Sequence, residues 1–365
     1  MNILVNNPVQ ATIIFSAILL VGILVSIRWR KDQGILSPDV SQELKGVAIL
    51  LVVFSHIGYF LASDTRFLFP LSIAAGVGVN MFLFLSGYGL TISSTKSDDT
   101  ILQNYRRRLG KLYVPMWITG IIFVILDLVL LGKTYQWQYL MNSALGFFSS
   151  VNLYADLNSP LWYFTLIIFY YLLFPVVFFK KLPWLSALVL YLVSYLIVND
   201  PPSIIYGVVH MYKIHLIAFP LGMIFAWILA KPSIINIFTK INEKKYWLAR
   251  VFLVLLSIVI AVYTAFHSNV GLGIREELMS MVTVLALSLI FILKKVSFKS
   301  FYWIGFFSYE IYLLHWPIMY RFDFLYKYTP SWLATALYLL IFIGLGWVLQ
   351  LVTGLILKKK KVIAK

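Results

Sequence analysis

Two imidazoles stand inside apolar runs, where a polar ring has no water to satisfy it: His56 in ELKGVAILLVVFSH (43–56) and His315 in SYEIYLLHWP (308–317). An ionisable side chain in such a run is costly unless it faces a cavity or a partner, so its presence is a functional signal. A neutral imidazole facing a cavity can take a proton from an alcohol and return it to a leaving group, which is the work of a general base. Lys45 precedes His56 by eleven residues. At ~100° per residue the two return to within ~20° of each other, on one helix face and ~16 Å apart along the axis. Ser308 and Tyr312 fall near the face of His315 by their spacings of seven and three, and Pro317 is expected to open that helix one turn beyond. A third segment, NYRRRLGKLYVP (104–115), sets Arg106, Arg107, Arg108 and Lys111 before a helix start, and guanidinium forks suit phosphate oxygens.

Each constellation also has a bland reading. A histidine can be satisfied by a neighbouring helix, an interfacial lysine can stretch its ammonium to water, and a Tyr and Trp belt can surround a packed ring. A basic run can serve topology or anionic lipid alone. The chain has no cysteine, which excludes thiolate catalysis, disulfides and a cysteine metal site, and no metal centre is expected.

The elements that position these residues follow from composition. Hydrophobic residues make up 61% and charged ones 12%, a balance no soluble domain could bury. Apolar runs near 11–27, 46–62, 73–93, 112–131, 160–179, 184–198, 213–230, 251–266, 278–293, 303–320 and 332–357 approach the ~20 residues needed to cross a bilayer. The fold class is therefore all-α, a polytopic transmembrane helix bundle of about 11 helices. The first run has no basic residue before it and no convincing cleavage site after it, and is expected to remain as a helix.

The net charge of +16 sits in short clusters between the runs, which fits membrane orientation and not nucleic acid. With the amino terminus outside, about 24 of the 30 Lys and Arg fall on the cytoplasmic side, as the positive-inside rule requires. The expected location is the cell membrane, multi-pass, with the carboxyl terminus in the cytoplasm. The longest outer connection, 132–159, mixes Tyr135, Trp137 and Tyr139 with Asp156 and Asn158, a composition suited to an interface or to sugar.

Taken in order, the segments resemble acyltransferase family 3 of integral membrane acyltransferases, over residues 43 to 357. Lys45, Gly46 and His56 stand where the family's first motif has a basic residue, Gly and His. GVNMFLFLSGYGL from Gly78 resembles the next signature, with Phe82, Ser86 and Gly87 in place. Arg107, Arg108, Lys111 and Pro115 resemble its basic run, Leu161, Trp162, Tyr171 and Pro175 its Leu-Trp segment, and SYEIYLLHWP its late Ser-Tyr…His-x-Pro segment. Two departures matter: Lys45 replaces the more usual arginine and loses a planar fork, and Ile167 and Ile168 stand where many members carry acidic residues.

The resemblance implies an acyl-coenzyme A donor, acetyl-CoA in most members, consumed as a substrate with no permanently bound cofactor. It implies an acceptor hydroxyl on an envelope or extracellular polysaccharide or its lipid-linked precursor. His56 is then the expected base, with His315 and Tyr312 orienting the acceptor or stabilising the oxyanion, and Lys45, Arg107, Arg108 and Lys111 holding the donor. Residues 1–42 form an additional N-terminal helix with a basic linker, 43–357 the acyltransferase-like domain and 358–365 a lysine-rich cytoplasmic tail. The expected partners are acyl-CoA, the glycan acceptor, the bilayer, and a separate extracytoplasmic protein or a second copy. A transporter or flippase of an envelope precursor is the rival reading, since sparse buried polar groups suit transport as well.

Overall fold

A computed structural model describes residues 3–30, 34–96, 101–268 and 273–363, with backbone alone for 101–107 and 358–363. The apolar runs form helices because a backbone in hydrocarbon must satisfy its own hydrogen bonds. The first, α1 (Pro8–Val25), is mostly uncovered by protein, as a lipid-facing helix should be. A three-residue strand, β1 (Ile27–Trp29), follows it and pairs antiparallel with β2 (Val296–Phe298).

The next helix, α2 (Pro38–Ser55), starts where Ser37 Oγ accepts the Val40 N–H at 3.3 Å and Pro38 occupies the first turn. It continues into a π-helical turn at His56–Leu61; such turns often mark functional positions because they re-aim side chains. α3 (Ala75–Lys96) returns against it, with Gly78 beside Ala48 and the Tyr88 hydroxyl bonded to Leu36 O at 3.3 Å.

α4 (Ile101–Leu131) and the short α5 (Trp137–Leu145) lead to a long connection, 146–158, and then to α6 (Trp162–Val177). Next come α7 (Pro183–Asn199) and α8 (Val209–Lys213), with a bend of 97° between Pro183–Asn199 and Ser203–Lys213, then α9 (Ala218–Leu229) and α10 (Pro232–Ile241), bent by 79°. The chain ends with α11 (Trp247–Ser268), α12 (Ile274–Leu293), α13 (Lys299–Phe306), α14 (Ser308–Tyr320) and α15 (Ser331–Ile363).

The bundle is polytopic and helical. Among the described residues eight helices are long and apolar enough to span a bilayer, or ten when each bent pair counts as one span. The segment expected as one helix at 303–320 is two short ones, because Phe307, at φ −102° and ψ 13°, leaves the helical region. The helix expected from 213 begins at Ala218, and the preceding turn carries His215.

α2, α3, α6 and α12 are the most covered spans, and α1 and α11 the least, so the first group is the protein's centre. Two helix pairs there meet at backbone contact. A Cβ at Gly305 would strike Gln42 O, and one at Gly46 would strike Phe301 O, so α13 lies directly on α2. Gly87 and Gly222 do the same for α3 and α9. Close approach through glycine is a common way for helices to pack where lipid offers no hydrophobic drive.

Candidate active site

A cavity of about 400 Å³ opens between α2, α3, α6, α14 and the connection 146–158. Lys45, His56, Trp162, Tyr163, His215 and Tyr312 are among its walls. Ile167, where many members of the resembled family carry an acid, is part of the same wall. A larger open groove of about 730 Å³ lies between α1 and residues 323–332, but it contains no imidazole. Of these two, the smaller cavity is the one lined by His56 and Lys45.

His56 and His315 come from different helices and form a pair, with Nδ1 of His56 2.7 Å from Nε2 of His315 and the rings stacked 8° from parallel. The proton positions follow from the surroundings. His315 Nδ1 lies 3.0 Å from Ile311 O and 2.9 Å from Tyr312 O, and carbonyl oxygens only accept. That nitrogen carries the hydrogen, Nε2 accepts from His56 Nδ1–H, and His56 Nε2 keeps a lone pair on the cavity side. Among the described residues nothing donates to it. His315 is wholly buried and is not part of the cavity wall, and its contact with the cavity runs through His56.

Tyr312 does line the cavity, but its hydroxyl donates to Pro160 O at 2.5 Å. In this structure its proton is engaged by that carbonyl. Tyr163, packed edge-on to Tyr312 with centroids 5.7 Å apart, reaches the same cavity, and its hydroxyl has no partner among the described residues.

Pro317 does not open α14, which runs to Tyr320. Lacking an N–H, Pro317 leaves the Leu313 carbonyl without its helical donor, and Asn158 Nδ2 takes that place at 2.8 Å. Further ties hold the connection over the same helix. Trp316 Nε1 donates to Leu153 O at 3.0 Å, and Arg321 donates to Asp156 O at 3.0 Å and Leu157 O at 2.6 Å. Arg321 Nε faces Asp127 Oδ1 at 2.8 Å, outside hydrogen-bond angles, so this contact is an ion pair. The connection becomes a fixed roof, with Val151 and Leu153 in the cavity wall beside Ser159 and Pro160 of the turn that follows.

At the opposite end Lys45 enters the cavity. Glu43 does not neutralise it, being 2.6 Å from Lys294 Nζ and 3.0 Å from the Phe298 N–H. Lys45 makes no ion pair or hydrogen bond among the described residues, and Arg108 is close enough to repel it. Arg108 itself donates to Ser93 Oγ at 2.7 Å, Lys111 is exposed, and neither lines the cavity. The side chain of Arg107 lies outside the described residues. Among the described residues neither Lys45 nor Arg108 is paired with a carboxylate, an arrangement that favours an anion.

Sequence reasoning passed over His215, Asn80 and Tyr163. The rule that singles out His56 also applies to His215, which sits in the apolar run 213–230. Among the described residues no group of three His, Asp or Glu is placed to hold a metal.

A family model described as an acyltransferase domain, acyltransferase family 3, matches residues 43–351. No curated protein and no solved structure gives a significant match to the chain.

Proposed function

The chain belongs to this acyltransferase family, and from that premise we propose that it moves an acyl group, acetyl by preference, from a cytosolic coenzyme A thioester to a hydroxyl of an envelope polysaccharide or its lipid-linked precursor. The carrying observation is the His56–His315 pair, which leaves one imidazole nitrogen without a donor among the described residues, in a cavity lined at its other end by Lys45, which has no ion pair among those residues.

In this reading the cytoplasm lies at the Lys45 end, and the donor's phosphates meet Lys45 and Arg108 as its thioester reaches toward His56. The acceptor hydroxyl comes from the side of the roof. His56 Nε2 takes the hydroxyl proton as the oxygen attacks the thioester carbon. The new C–O bond forms, the carbonyl electrons move to oxygen, and the Tyr163 hydroxyl donates to that oxyanion. Collapse breaks the C–S bond, and the sulfur leaves with the proton from His56, restoring the neutral pair. His315 serves the step through its bond to His56, which strengthens when His56 becomes a cation.

The absence of cysteine makes the test direct, because released coenzyme A is then the only thiol in the reaction. Purified protein in proteoliposomes is given acetyl-CoA on one face and a candidate saccharide on the other. The expected result is thiol release matched by O-acetyl ester in the NMR spectrum. Thiol release without ester means hydrolysis, and neither signal across a panel of glycan acceptors would overturn the reading.

A further inference from the structure

The cavity contains a third imidazole that the mechanism leaves unused. His215 is only 2% exposed, lines the cavity and lies flat on Trp162, with centroids 5.5 Å apart and planes at 14°. Its Nδ1 is 2.8 Å from Asn80 Oδ1, and Asn80 Nδ2 donates to Ser280 Oγ at 2.8 Å. An amide oxygen only accepts, so Nδ1 carries the hydrogen and Nε2 keeps its lone pair. Among the described residues nothing donates to Nε2. A side chain held from three directions, by an amide, an indole face and the turn before α9, is a fixed acceptor aimed at a ligand.

Its depth identifies which part of a ligand it meets. α2 and α3 are antiparallel and pair Ala48 with Gly78 and Leu36 with Tyr88. Interpolation sets Asn80 level with Gly46, beside Lys45 and, at ~1.5 Å per residue, about 15 Å short of His56. A molecule with its phosphates at Lys45 and Arg108 and its reacting carbonyl at His56 meets His215 at the phosphate end of the stretch between them, where that stretch begins. In a coenzyme A thioester that stretch is the pantetheine arm, whose two secondary amides each bring an N–H into a channel with mostly aromatic and aliphatic walls. Such a donor needs an acceptor there.

We propose that His215 is a donor-binding residue whose Nε2 accepts a hydrogen bond from a pantetheine amide, with Asn80 as the residue that positions it. The inference rests on the reading of the donor as a coenzyme A thioester entering at the Lys45 end. It predicts recognition of the arm itself, separate from recognition of the phosphates.

The test compares acetyl-CoA with two analogues, each having one pantetheine amide replaced by an ester, which keeps the length and removes the N–H. The wild-type protein is expected to show a KM about tenfold higher for one of the analogues, the value of a single well-placed hydrogen bond. His215→Leu should raise KM for acetyl-CoA by a similar factor and abolish the discrimination, with the effect falling on KM and not on kcat. His215→Gln, which retains an acceptor, should recover part of it. Should His215→Leu fail to fold, Asn80→Ala leaves the imidazole in place but free to turn, and discrimination should shrink. Equal use of all three donors by the wild type, or undiminished discrimination in the variants, overturns the assignment while leaving the donor's identity intact. Absence of any transfer from acetyl-CoA by the wild type overturns the donor reading as well.

Discussion

Replacing His315 with leucine removes the acceptor of the His56 Nδ1–H without touching the cavity wall, which makes the variant a probe of positioning alone. His315 is wholly buried, and the two carbonyls that receive its Nδ1–H belong to its own helix, so an apolar ring-sized replacement costs the fold little. The cost falls on the reaction. If His56 takes up the acceptor's proton as proposed, its 2.7 Å bond to His315 changes from a neutral to a charge-assisted one. A hydrogen bond to a charged group is worth about 1.5–3 kcal/mol, which corresponds to a fall in kcat of about 10- to 150-fold. KM for the donor should stay within about twofold, since His315 is not in the cavity. His315→Asn, which can return an amide oxygen, should regain part of the loss. Single-turnover acyl transfer in proteoliposomes reads kcat directly, with thermal unfolding as the fold check. A folded His315→Leu protein with kcat within twofold of wild type would refute the positioning role. A loss as large as that of removing His56 itself would mean that the base has been assigned to the wrong ring.

Three further outcomes are expected. Gly305→Ala should lower the unfolding temperature in detergent, since the added methyl meets Gln42 O and lies 2.7 Å from Gly46 N, all backbone atoms; overpacking of this kind costs about 1–3 kcal/mol or more, and an unchanged transition would refute the close α2–α13 contact. Lys45→Gln should weaken donor binding by about 10- to 150-fold, the value of one charge-assisted contact, with Lys45→Arg near wild type; equal affinity in all three would return Lys45 to a structural role. Arg321→Leu removes the ion-pair partner of Asp127, which is fully buried and keeps the hydrogen bond from the Tyr135 hydroxyl; breaking a buried pair costs about 3–5 kcal/mol, so the roof should become protease-sensitive, and unchanged proteolysis would show that the other ties suffice.

The sequence makes the helices legible because each apolar run must satisfy its backbone alone, and that requirement is local. The shared face of Lys45 and His56 is legible for the same reason, and both residues do reach one cavity. The pairing of His56 with His315 is half visible, as two rings at similar depth, but their bond depends on where α14 packs against α2, and that is set by glycines 46 and 305 and by the break at Phe307. Roles that depend on neighbours are not legible at all. The commitment of the Tyr312 proton to Pro160, the capture of Leu313 O by Asn158, and the seat of His215 between Asn80 and Trp162 each join residues more than 50 positions apart. The basic run shows the same limit: its charge and spacing are legible, but that Lys111 is exposed and outside the cavity wall depends on how α4 packs.

The central claim is that His56 accepts the proton, and acyl transfer by His56→Ala measures it most directly. The account predicts a fall in kcat of about 10²- to 10⁴-fold, the usual contribution of a general base, with donor affinity unchanged and the protein folded. Transfer within a few-fold of the wild-type rate would contradict it.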